Sequence, residues 1–190
     1  MDAQSIFLSY SQKNADIADI LDKVCQSYGM QVLRDIREVK YNQSFKEYMK
    51  GIRKTDYVLV LISDNFLKSQ ACMYEIHEVM KDENYQERIL PILLPLTHIF
   101  KPKDQIIYLK YWDDQYKELL KQIEEFEPCD TLEYISDLKE IKNIKSTINA
   151  FLKHLSNINV LTFETLQLEK FKPVLSYLGI SDELQTLYFN

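Results

Sequence analysis

The 190-residue sequence contains only three glycines, and it has no dense run of lysine and arginine. So few glycines exclude a P-loop and a GxGxxG loop, because both motifs use several glycines to bring backbone N–H groups against phosphate. The net charge of -6 without a basic cluster argues against electrostatic binding to a nucleic-acid backbone. Neither absence excludes a ligand as small as a single nucleotide.

Cysteine is also scarce, and long apolar runs are absent. Cys25, Cys72 and Cys129 are odd in number and form no CxxC pair, which excludes a disulfide framework and a zinc site and indicates free thiols in a reducing compartment. No apolar run reaches the roughly 18 residues of a membrane span, and the first residues have neither a basic n-region nor an apolar h-region. We therefore expect a cytoplasmic protein with no membrane or nucleic-acid partner.

What the sequence does contain is an alternation of short apolar runs with amphipathic stretches. The apolar runs predict five strands, at Ser5–Ser9, Met30–Arg34, Asp56–Ser63, Arg88–Pro95 and Ile106–Trp112. Apolar residues at helical spacing predict helices at Asn14–Tyr28, Ser44–Lys54, Gln70–Glu83 and Asp114–Phe126. This alternation predicts an α/β fold, a flavodoxin-like five-stranded parallel sheet in the order 2-1-3-4-5 flanked by helices.

The pattern changes after Glu127. From Thr131 to about Leu155, apolar residues recur every three or four positions, which predicts one long amphipathic helix, and Val160–Phe163 has the composition of an extended segment. We therefore predict a sheet domain over residues 1–127 and a helical C-terminal extension over residues 128–190. The amphipathic stripe indicates only that something covers the long helix, either its own sheet domain or a partner.

The predicted strand order also predicts where a ligand binds. In such a sheet, ligands lie at the carboxyl ends of the strands where the order reverses, between the first and third strands. The loops at that place are Ser9–Gln12 and Ser63–Phe66, and Glu75 in the next helix is predicted to reach the rim of the same crevice. A glutamate near a helix start is equally explained by the helix dipole, worth about 0.3 to 1 kcal/mol, so periodicity alone leaves both interpretations open.

A phosphoacceptor receiver domain has the same predicted topology and has to be distinguished. Its metal site needs an acidic pair after the first strand and an aspartate after the third. Asp64 matches the aspartate, but Ser9, Tyr10 and Ser11 stand where the acidic pair is needed. Without those carboxylates a divalent cation is not held, so we predict no metal site.

Five short motifs occur in register along the predicted sheet domain. They are IFLSYS at 6–11, RD at 34–35, SFKEYMKGIRKTDYVLVLIS at 44–63, S-x-x-C-x-x-E at 69–75 and ILPILL at 89–94. In this order and spacing they resemble a Toll/interleukin-1 receptor (TIR) domain of the bacterial kind, over about residues 1–127. Ala71 departs from the family's tryptophan, and Asn42 stands nearest to the usual glycine of the loop after the second strand. Asparagine tolerates a left-handed backbone, so we expect this loop to keep its bend.

The resemblance implies one of two functions. TIR domains either cleave NAD+ at the nicotinamide–ribose bond or act as non-catalytic scaffolds through homotypic association, and Glu75 matches the glutamate that the enzymatic members use. Cleavage of a bond to a cationic nicotinamide needs no protonation of the leaving group, so one carboxylate that stabilises positive charge on the ribose is enough. We expect an NAD+ glycohydrolase that yields nicotinamide with ADP-ribose or a cyclic ADP-ribose isomer, and the scaffold is the alternative.

Topology and resemblance together predict the residues around the substrate. Tyr10 and Ser11 are expected to line the crevice, and Asp35 with the loop that follows is expected to cover it. Phe45 or Tyr74 is expected to stack on a ring of NAD+. The full predicted set beside Glu75 is Ser9, Tyr10, Ser11, Asp35, Phe45, Ser63, Cys72 and Tyr74. Three of them are equally explained by a structural role: Tyr10 as a surface aromatic residue, Asp35 as a turn-forming acid and Phe45 as a core residue.

The resemblance further implies partners and a biological setting. NAD+ is the expected substrate, with no separate cofactor, and the loop after the second strand is expected to mediate self-association. Other TIR proteins, or an effector that senses a cyclic nucleotide product, are further expected partners, and antiphage defence is the expected role. Helical spacing places His77 at the surface, and neither His98 nor His154 carries a catalytic signal.

Overall fold

One parallel sheet organises the chain. The structure is a computed structural model that describes residues 4–34, 52–125 and 132–181. Its strands are β1 (Ser5–Ser9), β2 (Gln31–Arg34), β3 (Tyr57–Ile62), β4 (Ile89–Leu93) and β5 (Leu161–Thr162). All the strand pairs are parallel and the order is β2-β1-β3-β4-β5, which confirms the predicted fold class and the position of the switch point between β1 and β3.

Helices cover both faces of the sheet. Their bounds are α1 (Ala15–Ser27), α2 (Asp64–Leu67), α3 (Gln70–Val79), α4 (Tyr85–Arg88), α5 (Pro102–Glu124), α6 (Leu132–Ser156), α7 (Phe163–Leu168) and α8 (Lys172–Tyr177). Short 3-10 turns span Gln12–Asn14 and Ile52–Lys54. Apolar residues of α1, α7 and α8 form one core cluster with the sheet, and those of α2, α3, α5 and α6 form the other.

Strands β1 and β3 are buried on both faces, as central strands of a parallel sheet require. Phe7 of β1 and Val58 and Val60 of β3 point toward α3, whereas Leu8 and Leu59 point toward α1. This alternation follows from the period of two along a strand. The alternation also determines which side chains can meet at the ends of the two strands.

The predicted fifth strand is wrong. Ile106–Trp112 lies inside helix α5, and the predicted helix Asp114–Phe126 is largely the continuation of α5. The buried residues Tyr108 and Trp112 are four positions apart, which is helical spacing, whereas Ile106 and Ile107 remain more than half exposed. The two exposed isoleucines made an amphipathic helix look like a continuous apolar strand.

The segment after residue 127 completes the sheet instead. Its extended residues Leu161 and Thr162 form β5 beside Ile92 and Leu93 of β4, so the predicted extension is not purely helical. The predicted long helix is confirmed as α6, and its residues Ile144, Ile148, Phe151 and Leu155 are buried in the core cluster that includes α3. Helix α6 is therefore covered by the chain's own sheet domain. The division at residue 127 stays a prediction.

The predicted loop Asp35–Gln43 and most of the predicted helix Ser44–Lys54 lie outside the described residues, and only the turn Ile52–Lys54 is described. Among the helices of the described ranges, none is both long enough and apolar enough to cross a membrane.

Candidate active site

The switch point lies where β1 and β3 end. Ser9 is the last residue of β1 and pairs with Val60, and Ser63 follows the last residue of β3. Helix α1 covers one face of the two strands and helix α3 covers the other. Side chains that alternate along the strand ends therefore reach either the α1 side or the α3 side of this crevice.

Glu75 lies on the α3 side of the crevice and is almost completely buried, with 2% of its surface exposed. The Ser9 hydroxyl, which is fully buried, donates a hydrogen bond to Glu75 Oε2. Glu75 therefore lies deeper than the crevice rim that the sequence predicts for it. Cys72, Ile76 and Val79 anchor α3 on the sheet, and Glu75 faces the end of β1 from within that packed surface.

The start of α3 is set by its own sequence. Ser69 caps the helix, because its side chain accepts a hydrogen bond from the backbone N–H of Cys72. The Cys72 thiol, itself buried, donates to the backbone oxygen of Tyr10 at 3.5 Å. The cap and this contact fix α3 against the loop after β1, so Glu75 is presented at a defined place one turn into the helix.

Tyr10 and Arg34 lie on the opposite, α1 side. The Tyr10 ring is buried, its hydroxyl accepts a hydrogen bond from Arg34 Nη2 at 3.0 Å, and the Arg34 guanidinium lies 4.9 Å from the ring centre. Arg34 also pairs with Asp19 and Asp22 of α1. The Tyr10 side chain is thus a buried part of the α1 face, and it is the Tyr10 backbone that contacts the α3 side.

The two loops at the switch point are tied together by Ser63. Its hydroxyl donates to Asn14 Oδ1 at 2.8 Å and accepts from the backbone N–H of Phe66 at 3.0 Å. Ser11 is also buried. Its backbone oxygen accepts a hydrogen bond from the backbone N–H of Asn14 at 2.7 Å. The sequence predicts Asn14 only as the first residue of a helix. The signal that Asn14 belongs to the crevice was a polar residue two positions after the first predicted loop, Ser9–Gln12.

Tyr74 is directed away from the end of β1. Together with His77, Glu78 and Lys81 it lines a cleft of about 230 Å³ between α3 and α6. Burial, followed by the charges of Glu78 and Glu140, raises the pKa of the Tyr74 hydroxyl. The structure therefore does not bring Tyr74 beside Glu75. Asp35 and Phe45, the two other residues expected around the substrate, lie outside the described residues.

His77 is not the surface residue that helical spacing predicted. It is half-buried, and its Nδ1 lies 2.8 Å from the hydroxyl of Thr147 on α6. Burial is the main cause that lowers its pKa. The reason for the error is that α6, which follows the predicted sheet domain in the sequence, packs along α3 and covers the face where His77 lies.

The predicted site residues thus divide between the two sides. Ser9, Cys72 and Glu75 meet on the α3 side of the switch point, whereas Tyr10 and Ser63 contact α1 or the turn before it. On the α3 side, the buried carboxylate of Glu75 accepts a hydrogen bond from the buried hydroxyl of Ser9. Such a carboxylate stabilises a positive charge strongly, because little water competes for it.

The sequence of this chain is similar to those of known proteins. A family model described as TIR domain matches residues 6–123. The chain is 29% identical over 114 residues to the NAD(+) hydrolase TirS of Staphylococcus aureus (strain MSSA476), which covers 58% of this chain and 40% of that protein. It is 32% identical over 94 residues to the probable 2' cyclic ADP-D-ribose synthase TcpO of Methanobrevibacter olleyae, which covers 48% of this chain and 28% of that protein. The chain thus spans less than half the length of these two curated relatives.

A solved structure gives the same architecture. The TIR domains of the activated Roq1 resistosome directly recognizing the pathogen effector XopQ match this chain with a TM-score of 0.52. The match covers 85% of this chain and 89% of that chain at 16% sequence identity, so it shows the fold alone.

Proposed function

The chain belongs to the TIR domain family, and we propose that it cleaves NAD+ at the nicotinamide–ribose bond with Glu75 as the catalytic carboxylate. The observation that carries this proposal is the position of Glu75, buried at the switch point of the sheet and hydrogen-bonded by Ser9. The names of the two curated relatives, an NAD(+) hydrolase and a probable cyclic ADP-D-ribose synthase, support the same bond as the point of cleavage.

The chemistry needs one acid. When the bond from ribose C1′ to nicotinamide breaks, its electron pair goes to the ring nitrogen, and a neutral nicotinamide leaves without taking up a proton. The positive charge that develops is on the ribose, and a carboxylate such as Glu75 stabilises it and accepts hydrogen bonds from the ribose hydroxyls. A nucleophile then forms a new bond to C1′ and releases its proton.

The identity of that nucleophile determines the product. Attack by water yields ADP-ribose, and attack by a nitrogen or hydroxyl of the same molecule yields a cyclic isomer. The outcome depends on how well the occupied site excludes water. We include both products in the proposal, because the hydrolase and the synthase are both among the relatives of this chain.

Glu75→Gln tests the assignment, because it removes the negative charge and keeps the shape of a buried side chain. We expect nicotinamide release to fall at least about 100-fold, the scale of losing one group that stabilises transition-state charge. Concentrated protein is incubated with NAD+, with and without a crowding agent, and the products are separated by chromatography with mass detection.

Glu78→Gln is the matched control. Glu78 is one turn further along α3 and is also buried, but it pairs with Lys81 on the α6 side. We expect this variant to keep nearly the activity of the unmodified chain. Continued nicotinamide release by Glu75→Gln contradicts the assignment of Glu75, whereas equal losses in both variants show that the helix, and not the carboxylate of Glu75, was damaged.

The second candidate function is the scaffold that acts by TIR–TIR association. We propose that self-association supports the activity, so turnover per protomer should rise with protein concentration. If the chain is instead a non-catalytic scaffold, it assembles but releases no nicotinamide at any protein concentration. We also propose antiviral defence as the setting, which requires that cells producing the Glu75→Gln variant lose any protection against phage that the unmodified chain gives.

A further inference from the structure

Strand β1 carries a serine–carboxylate pair at each end. At its amino end the Ser5 hydroxyl donates to Asp56 Oδ2 at 2.8 Å, and Asp56 is exposed. At its carboxyl end the Ser9 hydroxyl donates to Glu75, and both residues are buried. The same hydrogen bond therefore occurs once in water and once in the core of the candidate site.

The exposed pair shows what the contact does to a carboxyl group in this chain. The pKa of Asp56 is lowered first by the backbone N–H of Ser5 and then by the Ser5 hydroxyl, both of which donate to the ionised carboxylate. A hydrogen bond to the charged form favours that form. The buried pair has the same hydroxyl donor.

Burial makes this donor more important at Glu75 than at Asp56. Removal from water disfavours the ionised form of a carboxyl group, and a protonated glutamate does not stabilise a ribosyl cation. A hydrogen bond to a charged group is also stronger where little water competes. The carboxylate needed at this place is thus opposed by its own burial and favoured by the Ser9 hydroxyl.

The position of Ser9 is fixed by the sheet and not by a loop. Its backbone is paired with Val60 at the end of the β1–β3 ladder. The alternation along β1 turns Phe7 and Ser9 toward α3 and Leu8 and Tyr10 toward α1. A donor on a rigid strand holds its partner in one orientation more accurately than a donor on a loop does.

From these contacts we propose that Ser9 is a positioning residue, which keeps Glu75 ionised and oriented at neutral pH and does not itself bind NAD+. This assigns Ser9 a role different from the substrate contact expected from the sequence, and it rests on the proposed function of Glu75. Ser9 is completely buried, which agrees with a role through Glu75.

The test measures the ionisation of Glu75 directly, so that it does not depend on turnover. Protein labelled with 13C at the glutamate side-chain carboxyl carbon is titrated by NMR, and the Glu75 signal is the one missing from Glu75→Gln. In Ser9→Ala we expect the titration midpoint of Glu75 to rise by about one pH unit, the size of one lost hydrogen bond to a charged group. An unchanged midpoint in folded Ser9→Ala overturns the proposal.

Two variants separate this effect from damage to the strand. Ser9→Thr keeps the hydroxyl on a residue that suits a strand, and we expect its midpoint to stay close to that of the unmodified chain. Ser5→Ala removes the hydroxyl of the exposed pair on the same strand, and we expect no change in the Glu75 midpoint. Should Ser9→Ala fail to fold, Ser9→Cys keeps a side chain of similar size and replaces the hydroxyl with a weaker donor; a raised Glu75 midpoint there supports the proposal, and an unchanged midpoint overturns it.

The second readout is the pH profile of nicotinamide release. In Ser9→Ala the acid limb of kcat/KM should move up by the same one unit, with the KM for NAD+ nearly unchanged. A raised KM with an unmoved acid limb identifies Ser9 as a substrate contact and overturns the proposal. A raised NMR midpoint in a chain that releases no nicotinamide supports the role of Ser9 and contradicts the proposed function.

Discussion

The two ends of strand β1 use one chemical pair in two ways. At the amino end, Ser5 binds an exposed aspartate and joins β1 to the start of β3. At the carboxyl end, Ser9 binds Glu75 inside the packed contact between β1 and α3. Both ends pair a serine hydroxyl with a carboxylate, and they differ chiefly in access to water, although the Ser5 backbone N–H also donates to Asp56.

The difference shows why a glutamate at the second place is suited to chemistry. An exposed carboxylate is solvated and screened, so its hydrogen bond contributes to local structure only. A buried carboxylate is costly for the fold but acts strongly on any charge that develops beside it. Active sites commonly accept such a cost in stability.

The largest effect is expected from removing residues 128–190, because this removes the core that holds both ends. Among the described residues of α6, six buried apolar side chains are lost, those of Ile141, Ile144, Ile148, Phe151, Leu152 and Leu155, and β5 goes with them. At about 1.5 to 3 kcal/mol for each side chain, the loss is comparable to the whole stability of a typical domain. We expect chain 1–127 not to unfold cooperatively in a thermal melt followed by circular dichroism.

A chain that ends at Ser181 is the control, since it keeps α6, β5 and α8. We expect it to melt like the full chain. Cooperative unfolding of chain 1–127 would instead support the predicted division at residue 127. It would also show that the two ends of β1 are held without α6.

An intermediate effect is expected from the two arginines that stand at opposite ends of the sheet. Arg34 ends β2 at the carboxyl end, is buried, and pairs with Asp19 and Asp22. Arg34→Met removes the buried partner of these acids, whose side chains are 46% and 17% exposed, and we expect a loss of about 2 kcal/mol in the free energy of unfolding, the scale of a lost hydrogen bond to a charged group. Urea denaturation measures this loss.

Arg53→Met is the matched substitution at the amino end. The Arg53 side chain is 43% exposed, and its partner Asp82 is also held by Arg88. We expect little change in the urea midpoint, since an exposed ion pair contributes little and Asp82 keeps a partner. Equal losses in the two variants would mean that burial does not distinguish the two ends of the sheet.

Much of the structure at the carboxyl ends of strands β1 and β3 could be predicted from the sequence, because it depends on short-range patterns. The apolar runs of β1 and β3 are continuous, so their burial and the switch point between them followed from length and composition alone. The alternation along β1 also contains the information that Ser9 and Tyr10 point to opposite faces. What remained open was how deeply Glu75 is buried.

Prediction from the sequence failed where segments that are far apart in the chain pack against each other. The burial of Glu75 and His77 depends on packing between α3 and its neighbours, and α6 is more than 50 residues away from α3 in the chain. The fifth strand was misplaced for a related reason. Leu161 and Thr162 make a strand too short to be distinguished by composition, whereas the exposed Ile106 and Ile107 imitate one.

The smallest effect is expected from a histidine near the amino end of β4. His154 of α6 is buried, its Nε2 has no hydrogen-bond partner among the described residues, and its ring lies 5.6 Å from that of Tyr85 in α4. Burial lowers the pKa of His154. The unfolded chain, in which a histidine has a pKa of about 6.5, therefore takes up this proton at a higher pH than the folded chain does.

The sign of the pH dependence follows from that difference. Above about pH 6.5 both states are neutral at His154 and the free energy of unfolding is unaffected. As the pH falls from there through the lower pKa of the folded state, only the unfolded chain gains the proton at first, so stability is lost. The loss is about 1.4 kcal/mol for each unit by which burial lowers the pKa.

Replacing His154 with leucine, which has a similar volume, tests this and sharpens the contrast between the two ends. Urea denaturation between pH 5 and pH 8 should show a smaller loss of stability toward acid in His154→Leu than in the unmodified chain, while His98→Gln, on an exposed residue, changes nothing. The acid limb of nicotinamide release should stay where it is, because the proposed function assigns that limb to Glu75 at the other end of the sheet. A limb that moves with His154→Leu would mean that the acid limb reports unfolding and not the carboxylate.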